Sequence, residues 1–260
     1  MANSTQKRED GLYLREAKLP EDFEGIVDVG AKAFALDPVF MFWGNVMEIT
    51  DTGLKPENDQ NLRVFMTFLL KTCIDMKARF TVICDPAAND KVVSAAYWVP
   101  PNERIALYQV GRLLRCGAIG FIKAWGIRGI DRITTQYLDK CHHSFQAEFK
   151  KRGLKRSVDD TWYLNLAMTD PAYQGKGLMS LLVREMFALN PEGIYTIEAT
   201  TPKVKDQYAH LGFELISTFT LGKGVAGEDG LPKQGEEATG MPVSPMIRWP
   251  ASWASKDQTA

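Results

Sequence analysis

The stretch Gln174-Gly175-Lys176-Gly177 sets two glycines around a lysine, directly ahead of a segment whose apolar residues Leu178, Leu181, Leu182, Met186 and Leu189 follow helical spacing. The first backbone N–H groups of a helix lack intrahelical partners and carry the positive end of its dipole, so they attract an anion. Glycine lets a phosphate approach the main chain, and Lys176 adds a full charge. The stretch is therefore a candidate phosphate cradle. It is neither a Walker loop nor a dinucleotide fingerprint, since the longer glycine loop of the one and the three spaced glycines of the other are missing. Cys141-His142-His143 is the second suggestive run, but neighbours on a helix point about a hundred degrees apart and cannot converge on one ion. No metal site is expected.

A cradle needs a strand to lead into it and a helix to lead out. Trp162 to Met168 is apolar and strand-favouring, and Asp170-Pro171 closes it with a turn. The helix follows from Gly177. Beyond it, Ile194 to Thr200 reads as a strand, Asp206 to Leu211 as a short helix and Gly212-Phe213 as the step into a further strand.

The stretch resembles motif A of the GCN5-related N-acetyltransferases, Gln/Arg-x-x-Gly-x-Gly/Ala, with Gln174 and Gly177 matching and Met179 standing where the family has Gly or Ala. Tyr208 to Phe213 matches a second signature of that family, Tyr-x-x-x-Gly-Phe, at the expected separation. The resemblance is specific from about Thr161 to Phe213. It implies an α/β (α+β) fold, with a mixed, twisted central sheet flanked by helices and splayed beside the Trp162 strand.

It also implies a chemistry: acetyl-CoA as cosubstrate, direct transfer of its acetyl group to a primary amine, and no metal. Ala167, Met168 and Thr169 would contact the pantetheine arm, while Gln174, Gly175, Lys176, Gly177, Leu178, Met179 and Ser180 would surround the pyrophosphate. Tyr208 would return a proton to the leaving thiolate, a reasonable transfer for groups with free pKa values of about 10 and about 8.5. An alkylamine is mostly charged at neutral pH, so a base is also needed. Asp159, Asp160 and Glu198 are the candidates, because Thr161 occupies the position where histone-modifying relatives place a glutamate. The family often carries Asn before the tyrosine; Thr201 to Gln207 has none, which turns attention to Lys203 and Lys205.

The rest of the chain has to supply the acceptor site. Gly11 to Ala17 reads as a first strand, and Lys18 to Asp22 as the start of a helix carrying Phe23, Ile26, Val27, Gly30 and Phe34 on one stripe. Asp37-Pro38 breaks that helix ahead of Phe40, Phe42 and Trp43. The segment Ala33-Phe34-x-x-Asp37-Pro38 resembles the small-molecule branch related to puromycin N-acetyltransferase. Pro56 to Arg79 reads as a long helix, and Phe80 to Asp85 and Val92 to Val99 as a hairpin. Between the third and fourth strands lies an insertion, residues 100–160, about sixty residues long and helical in pattern over Ile105 to Cys116, Ala118 to Trp125 and Ile130 to Lys150. Such an insertion beside the catalytic strand is expected to wall the acceptor pocket. Phe213 to Leu221 should be a strand, 222–240 a mobile loop, and Met241 to Trp249 an edge strand because of Pro242 and Pro245.

Composition suits one large domain or two small ones; no internal repeat or separate second domain is evident, and the resemblance implies a single acetyltransferase domain over 11–249, with residues 1–10 disordered and 250–260 a loose tail. The chain has 260 residues, a formal net charge of -1 and 45% hydrophobic residues, enough for a real core and without a basic stripe for nucleic acid. No apolar run reaches a membrane span, the polar N-terminus has no signal-peptide core, and four scattered cysteines suggest reduced thiols. The expectation is a cytoplasmic enzyme with a small-molecule amine acceptor (an antibiotic, xenobiotic or metabolite), no nucleic-acid or membrane partner, and room for a homodimer. A peptide or protein acceptor, or a non-catalytic acyl-CoA sensor, are the alternatives.

Overall fold

The computed structural model describes residues 6–106 and 108–254. In chain order the elements are β1 (Gln6–Lys7), β2 (Tyr13–Glu16), α1 (Phe23–Phe34), α2 (Pro38–Trp43), α3 (Pro56–Asp75), β3 (Arg79–Asp85) and β4 (Lys91–Val99). The insertion follows as α4 (Val110–Arg115), α5 (Ala118–Ile133), a π turn (Thr134–Leu138) and α6 (Asp139–Lys151). Then come β5 (Trp162–Thr169), α7 (Leu178–Leu189), β6 (Tyr195–Ala199), α8 (Pro202–His210), β7 (Glu214–Leu215), β8 (Phe219–Leu221), β9 (Met241–Arg248) and α9 (Ala251–Ala254).

The sheet runs β1-β2-β3-β4-β5-β6-β9-β7, with β8 also on β9. Every pairing is antiparallel except β5 with β6. The mixed sheet is as expected. Alternation along β4 divides the core: Ala95, Tyr97 and Val99 join α1, α3 and the insertion, whereas Val93, Ala96 and Trp98 pack under α7 and α8. Both faces are covered, which is why β4 reads as a nearly unbroken apolar run.

The site depends on one irregularity. From Ser94↔Thr169 to Val99↔Tyr163, β5 is matched along its length to β4, but it meets β6 only through Trp162↔Tyr195 and Tyr163↔Thr196. Past Tyr163 the two parallel strands diverge, and the β6-facing edge of β5 has no strand partner among the described residues. α7 fills the crossover between them and buries Leu178, Leu182, Val183 and Met186. Leu189, expected on the same stripe, is 51% exposed at the helix end.

Several expectations are corrected. The disorder expected at 1–10 falls partly on residues outside the described ones, while Gln6–Lys7 pairs with Leu14 and Tyr13 as an added edge strand, which moves the insertion to between β4 and β5. The strand expected over Phe213 to Leu221 is broken into β7 and β8. β9 is not an edge, because β6 lies on one side and β7 and β8 on the other. Its Pro245 is tolerated there because the Pro245 carbonyl accepts from Ile216 N on the β7 side, so the missing N–H costs no bond in the β6 ladder. Residues 222–240 form a folded loop rather than a loose one: Gly224 N bonds Ala238 O, Gly240 N bonds Ala226 O, and Ala226 is buried. The segment 251–254 is helical, with Trp253 stacked on Trp249 at 5.7 Å; residues 255–260 lie outside the described ones. Among the described helices none is long and apolar enough to cross a membrane.

Candidate active site

Where β5 ends, Asp170 accepts from Ala172 N and from Lys91 Nζ at 2.9 Å, fixing a tight turn over Pro171–Tyr173. Burial works against its charge, but the Lys91 bond prevails and holds the carboxyl below its usual range. Gly175 and Gly177 then take φ of 79° and 71°, left-handed values that suit glycine, and α7 begins at Leu178. Neither glycine position has any heavy atom within 4 Å of where a Cβ would sit. The loop is open on the side that faces a ligand. Gln174, Gly175, Gly177, Leu178, Met179 and Ser180 all border one cavity of about 720 Å³, and so do Ala167, Met168 and Thr169 from the unpaired edge of β5.

Lys176 is the exception. It does not border the cavity; its Nζ lies 4.9 Å from the Tyr173 ring centroid, and its carbonyl accepts from Arg8 at 3.0 Å. Met179, the departure from the motif, packs partly against the core beneath β5. Lys203, on the first turn of α8 behind its Thr201 cap, borders the cavity, whereas Lys205 does not and lies 3.8 Å from Asp206.

These residues fit a coenzyme A arm on two observations. The edge of β5 has lost its neighbour, and Asn165 Oδ1, on the cavity wall, is buried with no hydrogen-bond partner among the described residues. An extended ligand with amide groups answers both needs.

Glu198 and Tyr208 border the same cavity. Tyr163 Oη donates to Glu198 Oε2 at 2.8 Å, and Arg104 lies with its guanidinium 5.2 Å from the Tyr163 ring centroid. Burial pushes the Glu198 carboxyl up to about 7, with the Tyr163 bond and Arg104 opposing. Burial also raises the Tyr163 phenol well above its ordinary value, so it stays a donor. A carboxyl poised near neutrality is suited to accept a proton. Tyr208 is buried with its ring against Phe213, and its hydroxyl bonds to no described residue. Burial and Glu198 together keep that phenol protonated.

Asp160 is not at the site. Its carboxylate accepts from Ser157 N at 3.1 Å in a capping box, and it does not border the cavity. Asp159 faces Arg104 at 3.8 Å and is likewise absent from the wall. Cys141 is buried in the core, while His142 and His143 bond to Gln146 and to the Asp139 carbonyl of their own helix.

Asp37, which in the sequence reads as a helix breaker within the Ala33 to Pro38 likeness, is a further carboxylate of the site. It caps α2 by accepting from Val39 N at 2.9 Å and Phe40 N at 3.2 Å, and it accepts from Thr200 Oγ1 at 3.0 Å. Thr200 lies just past the end of β6, two residues beyond Glu198, and Asp37, Glu198 and Thr200 all border the cavity. Burial raises its carboxyl, with those three bonds opposing.

Beyond the carboxylates the cavity becomes apolar. Phe40, Trp43, Phe65, Phe68 and Phe121 line it together with Tyr137, which the π turn delivers. Phe68 and Phe121 stack at 4.9 Å, and Trp43 meets Tyr137 edge-on at 4.8 Å. The insertion does wall the cavity.

A splayed pair of parallel strands with a glycine turn at a helix N-terminus beside it is the architecture of the GCN5-related N-acetyltransferases, and the chain has that fold. It matches a crystal structure of histone acetyltransferase HPA2 and related acetyltransferase from Corynebacterium glutamicum at 18% identity and TM-score 0.57, covering 95% of this chain and 97% of that one. Arylalkylamine N-acetyltransferase 2 from Aedes aegypti matches at 12% identity and TM-score 0.54, over 92% and 98%. The C-terminal condensation domain of Ebony, in complex with beta-alanyl-dopamine, matches at 10% identity and TM-score 0.60, over 91% and 98%. No protein-family model matches the chain, and no curated protein does.

Proposed function

We propose that this chain is an N-acyltransferase that moves an acetyl group from acetyl-CoA to the amine of a small molecule with a bulky apolar body. One observation carries the reading: the helix-terminal loop, the unpaired β5 edge, Glu198, Tyr208 and an aromatic chamber all open onto a single cavity. The loop and edge suit the donor, and the chamber suits the acceptor. The ammonium gives one proton to Glu198 and, as a neutral amine, attacks the thioester carbonyl; the C–N bond forms, the C–S bond breaks, Tyr208 supplies the proton for the departing sulfur, and the second proton shed by the new amide nitrogen restores the Tyr208 phenol. One of the matched structures is named for arylalkylamines and another holds beta-alanyl-dopamine, in keeping with the ring-lined chamber. The Ala33 to Pro38 likeness to the puromycin branch adds only that the acceptor is small. An acidic groove at Asp159 and Asp160, which a peptide acceptor would favour, is not formed at the site.

Calorimetric titration with acetyl-CoA, followed in the same preparation by thiol release over a panel of amines, tests the proposal. Saturable binding with release that depends on an apolar amine is expected; no binding overturns it. Tyr208→Phe should lower kcat about a hundredfold while leaving the acetyl-CoA Kd unchanged. Because the hydroxyl has no partner among the described residues, the melting temperature should hold as well. Ala33→Trp places an indole in the chamber and should raise the acceptor KM about tenfold or more without moving the acetyl-CoA Kd. An unchanged acceptor KM would move the acceptor elsewhere.

A further inference from the structure

The insertion has an outer face that the proposed reaction does not use. Six of the thirteen large apolar side chains exposed on the described residues fall between Tyr108 and Ile127: Tyr108, Val110, Leu114, Ile119, Ile122 and Ile127. They lie on and beside α4 and α5, which pack on each other. In α5, Ala118, Phe121 and Trp125 turn inward at helical spacing, while Ile119, Ile122 and Lys123 turn outward. At Gly126, with φ 66° and ψ 178°, the helix kinks and presents Ile127, 81% exposed, beside Arg128. Isolated exposed leucines and isoleucines are ordinary; this concentration on one short wall is not.

The charge on that wall is mostly positive: α5 carries one acidic residue, the exposed Asp131, past Gly129. From Tyr108 to Gly129 the sequence holds Arg112, Arg115, Lys123 and Arg128 and no acidic residue. Arg112 and Arg115 answer Asp75, and Arg112 also answers Glu103. Lys123 and Arg128 enter no ion pair among the described residues, and both are exposed. The same wall is the inner lining of the aromatic chamber, through Leu113, Ala118 and Phe121, and Ile122 both borders the cavity and is exposed at 41%.

We propose that the outer face of α4 and α5 docks on an anionic lipid bilayer, from which the apolar acceptor enters the chamber without first crossing bulk water. The second clause rests on the acceptor reading above; the first stands on the surface alone. Apolar side chains interleaved with exposed cations on short helices are the make-up of a segment that lies in the plane of a membrane interface. Such a surface needs no long apolar run, so it is compatible with a sequence that has no membrane span.

The test is co-sedimentation of the full chain with sucrose-loaded vesicles of phosphatidylcholine alone and of phosphatidylcholine with phosphatidylserine. Binding that requires phosphatidylserine and weakens with salt is expected. Lys123→Gln with Arg128→Gln should lower vesicle affinity roughly thirtyfold, since each substitution removes one cation from the lipid interface. Ile119→Ser with Ile127→Ser should lower it at least about tenfold through reduced apolar burial in the bilayer. Both pairs lie on the outer surface, so melting temperatures within a degree or two of the parent would show that the fold is intact. Failure to bind phosphatidylserine vesicles overturns the proposal, as does binding that both double variants retain. Dimerisation without lipid that Ile119→Ser with Ile127→Ser abolishes would assign the face to a second copy and overturn it as well. Acetyl-CoA titration of the same samples separates the two readings, since loss of vesicle binding alone leaves the acyltransferase proposal standing.

Discussion

Glu198→Gln is expected to lower kcat about 10²- to 10³-fold while leaving acetyl-CoA affinity unchanged, the size of effect that a positioned base supplies. The amide keeps the shape and still accepts from Tyr163 Oη, so only the proton-accepting capacity is lost. In the parent protein the base must be ionised, and its carboxyl sits at about 7, so kcat/KM should climb with pH through that value and then level. The variant should lack that limb. An unaltered acidic limb in Glu198→Gln would move the role to another group, and Asp37→Asn is then the variant to make. Stability supplies an independent check. The carboxyl binds its proton more tightly folded than unfolded, so stability falls as pH rises from the ordinary value of 4.5 through about 7. Glu198→Gln removes that penalty: the variant should be more stable than the parent at pH 8, by up to on the order of 3 kcal/mol, and no different at pH 4. Urea denaturation at the two pH values measures the difference.

Gly177→Asp should weaken acetyl-CoA binding about a hundredfold or more. The position is open, with no heavy atom within 4 Å of the point a Cβ would occupy, so a side chain meets no wall. What it brings is a carboxylate at the positive end of α7, where it repels the phosphates and satisfies the N–H groups that would otherwise bind them. Gly177→Ala is the control: it bears the same left-handed backbone at φ 71° without the charge, costing roughly 1–2 kcal/mol in the fold and little in affinity. Equal losses from both variants would show that backbone strain, not phosphate repulsion, is responsible. Retention of tight binding by Gly177→Asp would remove the loop from the donor site.

The parts of this site that were legible in the sequence are local. Gly175 and Gly177 mark a strand-to-helix turn within one short stretch, and Tyr208 announces itself by its distance from Gly212 and Phe213. What was hidden depends on convergence across the chain. Thr200 bonds Asp37 from 163 positions away, and Tyr163 reaches Glu198 across 35. No periodicity within either segment encodes such a meeting. Phe65, Phe68 and Phe121 lie on two separate helices, and only the packing of α3 against α5 turns them into a chamber lining. Asp160 misled by proximity to β5, although Ser157-x-x-Asp160 is a capping-box pattern that could have been recognised. The fold followed the same division: β4, β5 and α7 were readable from long apolar patterns, whereas the prolines of β9 suit an edge and only the pairing explains their tolerance, since Pro245 turns its carbonyl to Ile216 N on the β7 side and Pro242, opposite Thr220 of β8, lies beyond Ser244, the last residue paired to β6.

The divergence of β5 from β6 also bears on how the protein avoids sticking to itself. A bare strand edge on the outside of a sheet is a template on which foreign strands add, the first step toward aggregates. Here the bare edge from Asn165 to Thr169 faces inward, onto a cavity bounded by α8, the Gly177 loop and the insertion. It is kept away from passing polypeptides and offered to a slender ligand, so the chain can hold backbone in waiting without the hazard that an open edge brings.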